Sequence, residues 1–102
     1  MDRTVVITLV NEQKTYNANR QPIVERISQK DVYAQMRSIT RAEWFEAGRN
    51  GLKPDICFIT NCFDYDGETI IEYGGNRYGV YRTFFGRNDS VELYCEKKGG
   101  LS

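Results

Sequence analysis

The chain has 102 residues, enough for one domain around one core. Fourteen Lys and Arg balance fourteen Asp and Glu, so the formal net charge is zero, which removes the broad positive field of a dedicated nucleic-acid binder. It contains no histidine, which removes the commonest general base and every His-dependent triad.

No apolar run approaches the roughly 20 residues of a membrane helix. The opening "MDRTVVITLV" has no apolar stretch followed by a small-residue cleavage site. The expectation is a protein made in a reducing cytoplasm. Its three cysteines, Cys57, Cys62 and Cys95, are an odd number and are expected as free thiols.

In chain order, β-branched Thr4 to Val10 predicts a strand buried on at least one face. The Asn- and Gln-rich segment after it predicts a flexible polar loop over 11–21. "IVERIS" and "VYAQMRSI" alternate around Lys30-Asp31 and predict one bent strand or two short ones. A helix follows at about 41–50. Thr40 and Glu43 have capping-box spacing, and Ile39 and Trp44 have the spacing of a hydrophobic staple. Arg49 suits the last turn, Asn50-Gly51 supplies a left-handed stop, and Pro54 lies beyond. Trp44, Ala47 and Gly48 share the face expected to dock on the sheet.

"DICFITNCF" predicts a strand over 55–63, and Asp66-Gly67 predicts a hairpin turn from which "TIIEY" pairs back. "GGN" turns again, and "RYGVYRTFF" and "SVELYCEK" are the last strands, with 97–102 a frayed tail. On the final strand Val91, Leu93 and Cys95 face one way, and Glu92, Tyr94 and Glu96 the other. The fold class expected is mainly β, a small antiparallel β-barrel or sandwich with one short helix, forming a single domain over 1–102.

No catalytic, cofactor or metal residues are assigned. Asp64, Asp66, Glu68 and Glu72 read as turn residues and solvated strand faces, and "DYDGE" misses the register of a calcium loop. Cys57 and Cys62, five apart on a strand, point to opposite faces and cannot share a metal. "GGNRYGVYRTFFGRND" lacks the Gly-Lys-Ser/Thr of a phosphate loop. The same segment interleaves Arg77, Arg82 and Arg87 with Tyr78, Tyr81, Phe84 and Phe85, as single-strand-binding barrels do. Tyr78, Val80 and Phe84 fall on one alternating face, so some of these aromatics belong to the core.

The order of these signals resembles the head–tail joining (head-closure, or stopper) family of tailed phages and prophages. The family's "vWA.v.....E" segment is matched by Val32-Tyr33-Ala34 with Glu43 downstream, Tyr33 standing where Trp is favoured. Its "r.I.y.g..Y.I..v" is matched over Ile71 to Val80, and its "lel.ce" over Val91 to Glu96. The resemblance covers roughly the whole chain. It implies a structural virion subunit, with no enzyme activity and no cofactor, made in the host cytoplasm and placed at the head–tail interface. Such subunits form a homo-oligomeric ring, dodecameric or hexameric, between a portal or adaptor protein above and tail proteins below. The ring closes a channel through which double-stranded DNA passes without sequence readout; there is no membrane partner. A neutral subunit suits that channel, because a basic lumen would retard sliding phosphates. Candidate assembly or channel contacts are Lys14, Tyr16 and Arg20 on the polar loop, and Arg41, Glu43, Trp44, Glu46 and Arg49 on the helix. The helix is expected either to cover an open barrel end with Trp44 or to reach a neighbouring subunit or the channel. The alternative is an OB-like or SH3-like barrel that binds single-stranded nucleic acid or peptide.

Overall fold

The computed structural model describes residues 3–100, apart from the side chains at 13, 14, 24–27, 99 and 100. Strand β1 (Arg3–Tyr16) leads to β2 (Pro22–Ser38) and helix α1 (Arg41–Arg49). Strand β3 (Pro54–Asn61) ends in a single 3-10 turn (Cys62–Asp64), and β4 (Ile70–Tyr73), β5 (Asn76–Phe85) and β6 (Ser90–Gly100) complete the fold. The strands run antiparallel and close into a six-stranded barrel in the order β1-β2-β3-β6-β5-β4, with β4 returning to β1. The mainly β reading with one short helix therefore holds, and the architecture is the barrel.

Strand alternation fills the barrel. Partners directly opposite in a ladder share a face, so Ile7 opposite Val32, Val5 opposite Ala34 and Phe58 opposite Leu93 all point inward. With Leu9, Ile71, Tyr78, Val91 and Cys95 they form the core. Phe58, fully buried, holds Tyr73 and Tyr78 edge-on at ring distances of 5.7 and 5.8 Å. The expected split of the last strand is observed, with Val91, Leu93 and Cys95 buried and Glu92, Tyr94 and Glu96 on the outer side. Gly74 and Gly75 form the two-residue turn between β4 and β5, both at positive φ (59° and 77°), as a type I′ hairpin requires.

Several expectations are corrected. The segment 11–21 is not a loop, because β1 continues to Tyr16 and only 17–21 turn. Of the two alternatives for "IVERIS" and "VYAQMRSI", the single bent strand is the one observed, with a bulge at Ile27, since Asn11 pairs with Ser28 but Glu12 with Arg26. The tail at 97–102 is strand as far as Gly100, with Lys97 opposite Tyr78; residues 101 and 102 lie outside the described residues.

Asp66-Gly67 does not make a hairpin. β3 pairs with β2 and β6, and β4 with β1 and β5, so the two strands stand on opposite walls and "DYDGE" crosses an end of the barrel. That crossing buries one of the four acids that were expected in solvent. Glu68 accepts the Asp66 amide at 2.6 Å and lies 3.8 Å from the Lys30 ammonium, which itself donates to Asp66 at 2.8 Å. The hydrogen bond to Asp66, outweighing the opposing effect of burial, raises the Lys30 pKa. Of the aromatics expected in part in the core, Tyr78 is buried, but Phe84 does not share its face and lies at the surface. Val80 pairs with Cys95 but Arg82 with Tyr94, so Tyr81 is a bulge residue and the alternation beyond it is inverted.

Candidate interaction surface

Two elements leave the barrel wall. The first is an arm built from the ends of β1 and β2. β4 reaches β1 only at Thr8–Val10, and β3 reaches β2 only at Gln35–Ser38. Residues 11–16 and 22–28 therefore pair with each other as a two-stranded ribbon, and the molecule extends 48 Å along its long axis against 31 and 25 Å across. Asn17 organises the tip. Its side-chain oxygen accepts the Asn19 and Gln21 amides, each at 2.9 Å, while Arg20 takes a positive φ of 58°. Arg77 of β5 pairs with Glu12 at the base of the arm. Tyr16 (67% exposed) and Ile23 present apolar surface near the tip.

The second element is α1. Thr40 accepts the Glu43 amide at 3.2 Å, and the far end closes through Leu52 N–H to Ala47 and Gly51 N–H to Gly48, with Gly51 at φ 78°. Both expected helix ends are thus present. Glu43 does not complete a capping box, however, because its carboxylate is engaged elsewhere. Tyr81 donates to one oxygen at 2.9 Å, and the Arg82 guanidinium pairs with the other. The bulge that inverts β5 is what turns two consecutive side chains toward the same acid. The Arg82 guanidinium also lies 4.4 Å over the Tyr94 ring, and Tyr94 donates to Glu92 at 2.6 Å, with Arg37 3.8 Å from the same carboxylate.

This places α1 on the outside of the barrel wall, against β3, and not across its end. Cys57 lies between them: opposite Tyr94 and Arg37 in the ladders it points outward, yet it is 1% exposed. Burial pushes its thiol up to about 12. Burial, then the hydrogen bond to a carboxylate, raises Tyr94 to about 12, and the same causes, with Glu43 as partner, raise Tyr81 further. Among the described residues no buried side-chain polar atom lacks a partner.

The residues singled out from sequence fall into separate groups. Tyr16 and Arg20 are at the arm tip; the Lys14 side chain lies outside the described residues. Arg41 and Trp44 line an open groove on α1 with Ile39 and Phe45, and Glu46 pairs with Arg49 at 3.7 Å on the solvent side. Trp44 is 54% exposed, so it does not plug the barrel; the buried residue of the helix is Ala47. Trp44 packs edge-on against the equally exposed Phe45, with ring centres 5.3 Å apart. Phe45 was missed, and Tyr81 and Arg82, singled out only as stacking and charge candidates, were not foreseen as partners of Glu43. The acidic partner of Arg82 lies on a distant segment, and nothing in strand periodicity announces a bulge.

Fold and surface together define a small closed six-stranded barrel bearing a ribbon arm and an external helix. Compared with known protein families and with curated proteins, the sequence matches none.

Proposed function

We propose that this chain is a structural connector subunit, of the kind its resemblance to phage head–tail joining proteins implies. It would form a ring between a portal or adaptor and a tail, closing the DNA exit channel. The observation that carries this reading is the arm. A two-stranded ribbon with no third strand gains little stability for itself, and this one holds an ordered tip with Tyr16 and Ile23 exposed. Such a ribbon is suited to lie against another subunit. The exposed Trp44–Phe45 pair on α1 offers a second contact of the same type, since large aromatics supply most of the energy at protein interfaces.

The reading as a binder of single-stranded nucleic acid rests on Arg77, Arg82 and Arg87. Two of those three cations are already paired, Arg77 with Glu12 and Arg82 with Glu43, which favours the connector. The deciding experiment removes the gene from the phage or prophage that carries it. Heads that fill, lose their DNA and remain tailless, and that are rescued by the wild-type gene but not by a Tyr16→Ser/Ile23→Ser variant, are expected. Normal infectious particles without the gene overturn the reading. Cosedimentation of the pure protein with single-stranded oligonucleotides is the result expected of the alternative.

A further inference from the structure

We propose that α1 is a hinged flap, clasped to the outside of the barrel by Glu43, which swings away as a unit while the barrel remains folded. This inference does not depend on the connector reading.

The helix is complete without the barrel. Its first turn is capped by Thr40 and its last by the amides of Gly51 and Leu52, so leaving the wall breaks none of its end bonds. It is tethered by extended backbone at Thr40 (ψ 157°) on one side and by Gly51 at positive φ on the other. Its hold on the wall is slight. Ala47 is its buried side chain, and Ala is the smallest apolar group available, whereas Trp44 and Phe45 face solvent. A cleft of about 150 Å³ remains between the helix at Glu43, Glu46 and Ala47 and the strand at Tyr81 and Arg82, so the two surfaces are not close-packed.

What fixes α1 is therefore the pair of bonds from Tyr81 and Arg82 to the two oxygens of a single carboxylate. Bonds to a charged group are among the stronger ones, but water can replace both when the helix lifts. The barrel has no such weak point at its centre. Cys95, opposite Ile56 in the ladder beside Cys57, faces the sealed core and is fully buried. The two thiols thus report different events: Cys57 is uncovered when α1 swings out, and Cys95 only when the barrel opens.

The test uses the full chain with Cys62→Ser, which removes the half-exposed third thiol, and follows labelling by dithionitrobenzoate in native buffer. Cys57 is expected to react well ahead of Cys95. Glu43→Gln is expected to speed Cys57 by at least about tenfold, the scale of one lost charge-assisted bond, with Cys95 unchanged. Hydrogen exchange on the unmodified chain supplies a reading that needs no variant, with amides of 45–49 exchanging before those of 57–59. Equal labelling rates for the two thiols, a Cys57 rate indifferent to Glu43→Gln, or helix amides exchanging in step with β3 overturns the flap.

Discussion

Replacing Thr40 by Ala removes the oxygen that receives the Glu43 amide, and the loss is expected to be about 1 kcal/mol. Trp44→Ala is expected to cost no more than about 1 kcal/mol, because the ring is more than half in solvent. Phe58→Ala, which empties the centre of the barrel, is expected to cost about 3–5 kcal/mol, a large share of the stability of so small a domain. Urea titration of the three variants checks this order, and a Trp44 loss as large as that of Phe58 would contradict an exposed ring. Beside the thiols of Cys57 and Cys95, which burial also raises, Tyr94 and Tyr81 shape the response to alkali. Both ionise with more difficulty in the folded chain than the ordinary tyrosine value of 10.0. Above that value the unfolded chain therefore sheds protons first. Their contribution is fully present below about pH 10 and is lost as the pH rises toward the folded Tyr94 value of about 12. The denaturation midpoint is expected to fall over that window, and Tyr94→Phe to flatten the fall.

Among the elements, the arm is the one the barrel can spare. Glu12 and Arg26 are paired across the ribbon, so an Asn-Gly turn can join them in place of the residues between. The shortened chain is expected to keep its fold with a change of about 1 kcal/mol or less, since an isolated ribbon is marginally stable at best. Circular dichroism and urea titration provide the measurement, and collapse of the barrel would show that the arm is part of its core. The same element shows how far sequence reaches. The helix at 41–49 was legible down to its cap and its stop, because those signals are local and each has its own backbone consequence. The core face of β6 was legible because its period of two is uninterrupted from Val91 to Glu96. The arm was not, since "NEQKTYNANRQP" is polar on both faces. That segment shows no period of two, and the Asn17 turn holds the tip that joins the two strands. The clasp was hidden for a related reason. Tyr81 sits in a bulge, and a bulge becomes visible only against the partner strand, here where Val80 and Arg82 meet successive residues of β6. Burial of Glu68 escaped because "DYDGE" was read as a turn between neighbours, while ring closure placed its flanking strands on opposite walls.

Taken whole, the free molecule is expected to sediment as a monomer at micromolar concentration, because its exposed large apolar residues are distributed over β1, β2, α1, the 3-10 turn and β5. Under the connector proposal, assembly would then depend on high local density on a scaffold. A stable oligomer in dilute solution would count against this. The continuity of β2 has a mechanical consequence. One unbroken strand runs from the arm at Pro22 to Ser38, and the helix cap follows two residues later. Backbone hydrogen bonds lie across the strands, so tension applied at the arm tip loads the Gln35–Ser38 seam with β3 in shear, all its bonds together and not one after another. The strand behaves as a tie rod: a tug on the arm is carried, with little stretch, to the foot of the helix on the far side of the barrel wall.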